Sequence, residues 1–110
     1  MRRNARVVLV ASDEELPATA RVLRDAGFEV IALGEIPDPA IAETVLQEDA
    51  DAVGVLGAGS DDARVRRITG LLHDRGLSRV VVLGGRDLTG PDPGAALARA
   101  LGERDARPSG

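Results

Sequence analysis

Ten consecutive residues near the middle of the chain read Ala52-Val53-Gly54-Val55-Leu56-Gly57-Ala58-Gly59-Ser60-Asp61. They form a short apolar run, then a glycine-rich turn, then the start of a helix. An apolar run without polar alternation is typical of a buried strand in a parallel sheet. The carboxyl end of such a strand leads to the edge at which open α/β sheets bind ligands. We therefore place this strand at the centre of the predicted sheet.

Apolar runs and helical patterns alternate along the rest of the chain. The predicted strands are Arg6–Ala11, Phe28–Leu33, Ala52–Leu56 and Val80–Leu83. The predicted helices cover 16–26, 39–49, 60–76 and 94–101, with Asp38 and Ser60 as N-caps of the second and third helices. Short connections between parallel strands require right-handed crossovers. The pattern predicts a flavodoxin-like (Rossmann-like) α/β fold with four parallel strands in the order 2-1-3-4, helices on both faces, and no fifth strand.

The predicted sheet lies in a single domain over residues 1–102. The chain has 110 residues and is 44% hydrophobic, which is enough for one buried core. Residues 84–93 are predicted to form a loop between the fourth strand and the last helix. Residues 103–110 are polar and are predicted to form a flexible tail.

The absence of a fifth strand leaves Val80–Leu83 as an edge of the predicted sheet. This segment is apolar and carries no charged or proline residue that would discourage pairing with another chain. We therefore expect the protein to form a homodimer, or to dock on a partner, through the Val80–Leu83 edge.

The composition excludes several classes of function. The net charge is -4 and the single aromatic residue is Phe28, so nucleic-acid binding is not expected. All fourteen basic residues are arginine, which excludes a Schiff-base lysine and a P-loop lysine, and there is no cysteine for a disulfide or a thiolate site. No apolar run approaches the length of a membrane span, so we expect no membrane partner and a cytoplasmic location.

Two polar features allow a functional and a structural interpretation. His73, the only histidine, is predicted near the end of the third helix, where the helix dipole favours a cation. The Asp13–Glu15 segment follows the first strand, as does the acidic pair of receiver domains, but the phospho-acceptor aspartate and the lysine of those domains are missing. We interpret both features as structural, and no Ser, His and Asp arrangement for catalysis can be assembled.

Two glycine turns follow neighbouring strands of the predicted sheet. Gly57-Ala58-Gly59 follows the third strand and Gly84-Gly85 follows the fourth. Glycine permits close approach of the backbone to a ligand, and it is also common in ordinary strand-to-helix turns. Asp61 and Asp62 would repel a nucleotide phosphate at the third helix, so a phosphate site there is disfavoured.

Several stretches resemble the cobalamin-binding domain at the end of methylmalonyl-CoA mutases. Arg6-Val-Val-Leu-Val-Ala is similar to its first strand, and Ala20-Arg-Val-Leu-Arg-Asp-Ala-Gly-Phe-Glu-Val-Ile to its first helix and second strand. The stretch from Asp38 to Val55 resembles its second helix and third strand, and Val80-Val-Val-Leu-Gly-Gly its fourth strand and glycine pair. The resemblance covers about residues 6–85.

The chain departs from this family at the cobalt ligand. The family carries Asp-x-His-x-x-Gly after the first strand, and the histidine becomes the lower axial ligand of cobalt. This chain has Ser12-Asp13-Glu14-Glu15-Leu16-Pro17 there, without a histidine and shorter, and Leu56-Gly57-Ala58 replaces the family's Ser-x-Leu. The resemblance implies cobalamin as cofactor, without His ligation and without a protein metal ligand. The implied contacts are Ser12, Gly57, Ala58, Gly59, Gly84 and Gly85.

Two hypotheses from different classes remain open. In the first, the chain is a non-catalytic, cobalamin-binding-like module for a partner subunit of a B12-dependent mutase (an isomerase). In the second, it is a degenerate domain that has lost corrin binding and acts in protein interaction or assembly. A small-molecule sensing domain is a third option. The feature that separates the first two is the volume beside the end of the first strand, where the nucleotide tail of the cofactor must fit.

Overall fold

The computed structural model describes residues 4–11, 14–57 and 62–106, without the side chains of 105 and 106. Strands and helices alternate through most of these residues. They are β1 (Arg6–Val10), α1 (Leu16–Asp25), β2 (Glu29–Leu33), α2 (Asp38–Glu48), β3 (Ala52–Val55), α3 (Asp62–Asp74), β4 (Val81–Leu83), α4 (Gly85–Leu88) and α5 (Pro93–Ala106). Within these residues no helix has the length and apolar character needed to cross a membrane.

The four strands form one parallel sheet in the order β2-β1-β3-β4. This confirms the predicted flavodoxin-like arrangement. The two central strands, β1 and β3, are in register with Val8 beside Val53, and β3 is buried along its whole length. Burial on both faces explains why their sequences are continuous apolar runs rather than alternating patterns.

Side chains of the central strands point alternately into two apolar layers. Val7 and Leu9 face the layer formed with α1, α4 and α5, which includes Leu23, Leu88 and Leu97. Val8 and Val10 face the layer formed with α2 and α3, which includes Ile41, Val45, Ile68 and Leu72. The core is therefore aliphatic on both sides of the sheet, as the composition requires.

The segment after β4 differs from the prediction. Residues 84–93 were expected to form a loop, but Gly85–Leu88 form the short helix α4. Leu88 is 2% exposed and lies across Gly54, where a Cβ would stand only 2.7 Å from Leu88 Cδ1. The prediction of a loop was wrong because a single leucine among polar residues has no periodicity, whereas its burial against β3 stabilises one helical turn.

The N-cap predicted for the second helix was also wrong. The structure places Pro37 at the N-cap and Asp38 in the first turn of α2, with no capping hydrogen bond from a side chain. The carboxylate of Asp38 instead accepts hydrogen bonds from arginines of α3. The tertiary ion pair has replaced the local cap. Ser60, the predicted cap of the third helix, lies outside the described residues.

The last helix, α5, is longer than predicted. It covers Pro93–Ala106 rather than 94–101, so it includes the first four residues of the expected flexible tail. Leu101 is 7% exposed, and Arg104 Nη1 lies 3.7 Å from Asp51 Oδ1, which ties this end of the helix to the sheet. Residues 107–110 lie outside the described part of the chain, and the division into one domain and a tail stays a prediction.

Candidate functional site

The carboxyl ends of the strands form the edge at which a ligand of this fold class would bind. From β1 the chain turns to α1 on one face, and from β3 it turns to α3 on the other, so strand order reverses between β1 and β3. Leu56 N donates to Val10 O at 2.8 Å, which holds the ends of these two strands together. A crevice at this position is the usual ligand site of open α/β sheets.

Half of the predicted cofactor contacts lie in the described residues. Gly57 follows β3 with a φ of 86°, a left-handed conformation that favours glycine. Gly84 follows β4 in an extended conformation, and Gly85 is buried at the start of α4. Because β3 and β4 are paired neighbours, the structure brings the Gly57 and Gly84–Gly85 turns to adjacent strand ends. The predicted contacts Ser12, Ala58 and Gly59 lie outside the described residues.

A charged cluster at the same edge was missed by the sequence analysis. Arg64, in the first turn of α3, is 7% exposed. Its Nε donates to Asp38 Oδ1 at 3.0 Å, its Nη1 to Glu35 Oε2 at 3.1 Å, and its Nη2 to Ile36 O at 3.1 Å. Arg67 Nε adds a contact to Asp38 Oδ2 at 3.3 Å. No local sequence pattern predicts the cluster, because the partners of Arg64 are 26 to 29 residues away in the sequence.

The Arg64 cluster is a clamp rather than a ligand site. Burial opposes the charge of the guanidinium, but the carboxylates of Asp38 and Glu35 outweigh burial and raise the pKa of Arg64 above its ordinary value. The nitrogens donate to the three partners above, so the cation is already neutralised within the protein. The clamp joins the connection between β2 and α2 to the first turn of α3.

His73 lies far from this edge. Helix α3 begins after the carboxyl end of β3 and leads back to the start of β4, so its last turn lies at the amino edge of the sheet. His73 is in that last turn and is exposed. The single histidine of the sequence therefore does not lie at the carboxyl ends of the strands.

The face of the sheet that α1 and α5 cover is closely packed in the described residues. Leu88 and Leu97 are buried against Leu9 on the face that α1 and α5 cover. A Cβ at Gly94 would stand 2.9 Å from the Cβ of Ala26, so α5 contacts the end of α1 directly.

Comparison with known proteins identifies a relative of this chain. No protein-family profile matches the chain. It is 38% identical over 103 residues to the 2-hydroxyisobutanoyl-CoA mutase small subunit of Aquincola tertiaricarbonis. The match covers 92% of this chain and 74% of that subunit. By its name, that protein is one subunit of a mutase.

Proposed function

We propose that this chain, which belongs to the family of the 2-hydroxyisobutanoyl-CoA mutase small subunit, is the cobalamin-carrying, non-catalytic subunit of a mutase. The cofactor lies at the carboxyl edge of the sheet and is presented to a larger partner subunit that binds the substrate. Cobalamin, when bound, supplies the radical chemistry of the rearrangement. The residues of this chain hold and orient it.

The observation that carries the proposal is the placement of two glycine turns on paired strands. Gly57 and Gly84 leave the backbone at the ends of β3 and β4 without side chains. A flat ligand can therefore approach the main chain closely there, and peptide N–H and C=O groups can bind its amide rim. The Arg64 clamp stabilises the neighbouring connection between β2 and α2.

Cobalt receives no axial ligand from this chain in our proposal. His73 is at the amino edge, and the chain has neither another histidine nor a cysteine. This chain would therefore hold a bound cobalamin through its backbone at Gly57 and Gly84–Gly85 rather than through a side chain that binds cobalt. The partner subunit, which binds the substrate, covers the exposed side of the cofactor. We expect this complex to work in the cytoplasm.

A second candidate function is supported by the packing of α5 on α1. The contact of Gly94 with Ala26 and the position of Leu88 across Gly54 make that face closely packed in the described residues. A domain that has lost corrin binding would retain its contacts with the mutase partner and act in assembly alone.

Retention of corrin after desalting separates the two candidates. The full chain is incubated with hydroxocobalamin or adenosylcobalamin, desalted, and assayed for bound corrin by absorbance. We expect retention close to one corrin per chain. Loss of all corrin from a folded protein would contradict the carrier function and favour assembly.

A pair of glycine variants tests the position of the site. Gly84→Leu places a side chain over the end of β4 and should weaken retention at least tenfold. Gly34→Leu is the matched control, because Gly34 follows edge strand β2, is exposed, and has no atom within 4 Å of a Cβ added there. Equal retention by both variants would show that corrin binds elsewhere.

A further inference from the structure

Acidic side chains predominate at the carboxyl edge of the sheet in the described residues. Glu14 and Glu15 precede α1, Asp62 lies in the first turn of α3, and all three are exposed. Glu35, which follows β2, is half-exposed even in its contact with Arg64. An anionic group that approached the ends of β1 and β3 would therefore be repelled unless a cation stood nearby.

The arginines of α3 at this edge are already paired. Arg64 donates to Asp38 and Glu35, and Arg67 donates to Asp38. Arg86, in α4, is exposed, and within the described residues it forms no ion pair and no side-chain hydrogen bond. Among the arginines that the structure describes at the carboxyl ends of the strands, Arg86 is therefore the one whose charge no carboxylate of the chain neutralises.

Two carboxylates close to Arg86 in the sequence do not pair with it. Asp87 follows it directly, and successive residues of a helical turn do not face each other. Asp92 Oδ1 accepts a hydrogen bond from Ala95 N at 3.0 Å and so caps the start of α5. The guanidinium group of Arg86 is therefore free to bind an anionic ligand.

The backbone that carries Arg86 is fixed in place. Leu88, two residues later, is buried across Gly54. Thr89 donates two hydrogen bonds to Gly85 O, from its N at 2.9 Å and from its Oγ1 at 2.7 Å. Only the side chain of Arg86 has to be ordered when a ligand binds, which keeps the entropic cost of binding low.

Arg86 is adjacent to the glycine turn that receives the cofactor in our proposal. Successive Cα atoms lie about 3.8 Å apart, so a group that rests on Gly84 and Gly85 is within the length of an arginine side chain from Arg86. Cobalamin carries one anionic phosphodiester, in the chain that links its corrin ring to its base. A guanidinium group suits phosphate oxygens because it can donate two parallel hydrogen bonds to them.

We propose that Arg86 binds the phosphodiester of cobalamin and thereby orients the cofactor on the sheet. The phosphate lies over the end of β4, beside α4, rather than over β1 or β3, where Glu14, Glu15 and Asp62 would repel it. The glycine turns provide the surface for the corrin, whereas Arg86 fixes the direction of its phosphate-bearing side. This inference rests on the proposed function, because Arg86 has this role only in a chain that carries cobalamin.

Two corrins separate a phosphate contact from a general effect on binding. Hydroxocobalamin carries the phosphodiester, whereas cobinamide has the corrin ring without the phosphate and the base. The full chain and its variants are titrated with each corrin by equilibrium dialysis, and bound corrin is measured by absorbance. Arg86→Gln should weaken hydroxocobalamin binding at least fivefold and leave cobinamide binding within about twofold of the original. Equal weakening for both corrins would overturn the proposal.

Arg99→Gln is the matched control for this variant. Arg99 is exposed in the middle of α5, and its loss changes the net charge of the chain by the same amount. The control variant should bind both corrins as the original protein does. A loss of hydroxocobalamin affinity equal to that of Arg86→Gln would show that net charge is responsible, and it would overturn the contact at Arg86.

Salt provides a second measurement, which does not depend on cobinamide. An exposed ion pair is screened by salt, so the hydroxocobalamin affinity of the original protein should approach that of Arg86→Gln as sodium chloride rises from about 0.05 M to about 0.5 M. A difference that stays constant would overturn the ion pair. If the original protein binds hydroxocobalamin and Arg86→Gln binds it equally well, this inference alone is overturned. If the original protein binds none, the proposed function is overturned and this inference with it.

Discussion

Replacing Arg64 with methionine is expected to destabilise the protein by about 3 kcal/mol. The side chain of Arg64 is 8% exposed, and its partners Asp38 and Glu35 are 19% and 49% exposed. A hydrogen bond to a charged group contributes about 1.5–3 kcal/mol, so loss of the largely buried Asp38 contact costs about 2 kcal/mol. The half-exposed Glu35 contact contributes less than about 1 kcal/mol, and the freed Ile36 carbonyl adds a similar amount. Methionine retains most of the apolar packing of the stem.

Arg67→Met is the matched control for this change. Arg67 lies one turn away on α3 and contacts the same carboxylate at 3.3 Å, but its side chain is 59% exposed. An exposed ion pair contributes little, so the cost should stay below about 1 kcal/mol. The free energies of unfolding are measured by urea denaturation. The slope of the free energy against urea concentration should be the same in all variants, because a changed slope would indicate a change in the unfolded state. Equal costs for Arg64→Met and Arg67→Met would refute the clamp.

The pH dependence of the Arg64 contribution has a definite sign. The folded-state pKa of Arg64 is raised, so its stabilisation is fully present below the unfolded-state pKa and is lost only as pH rises through the folded value. The difference in stability between the original protein and Arg64→Met should therefore not change through titration of Arg64 between about pH 6 and 9. A loss of the difference on moving to about pH 9 would contradict this assignment.

Three further substitutions test the packing and the ligand site. Gly54→Ala should cost about 1–3 kcal/mol in urea denaturation, because the added methyl group overlaps Leu88 in a closely packed layer. Gly94→Ala should be destabilising through its clash with the Cβ of Ala26, and Ala26→Gly in the same chain should recover part of the loss; additive costs would contradict a direct contact. His73→Gln should leave corrin retention unchanged. A large loss of retention would mean that the cofactor lies at the amino edge of the sheet, which contradicts our placement of the site.

The sheet could be predicted from sequence because its central strands are continuous apolar runs. Burial on both faces leaves that signature in Val7–Val10 and in Ala52–Val55, and the helices between them carry clear apolar periodicity. The strand order then follows from the handedness of the crossovers. The glycine turns were predicted at the strand ends for the same reason, since a turn must follow each buried strand.

The remaining features depend on contacts between distant residues. Helix α4 forms because Leu88 packs across Gly54. The sequence around each of these residues does not indicate that they are in contact. Asp38 has the local features of an N-cap, yet its carboxylate is bound by Arg64 of α3, 26 residues away. Ion pairs between residues that are far apart in the sequence produce no periodic pattern, so the Arg64 cluster could not be predicted from residue spacing.

The measurement that tests the central claim most directly identifies the axial nitrogen of bound cobalamin. The protein is prepared once with natural nitrogen and once fully labelled with the heavy isotope, and each is loaded with unlabelled, reduced cobalamin. Electron paramagnetic resonance then reports the nitrogen bound below cobalt through its nuclear-spin splitting. We predict the same splitting for both preparations, because the ligand is the cofactor's own base. A splitting that changes with the label would mean that a protein nitrogen binds cobalt, and it would contradict the account.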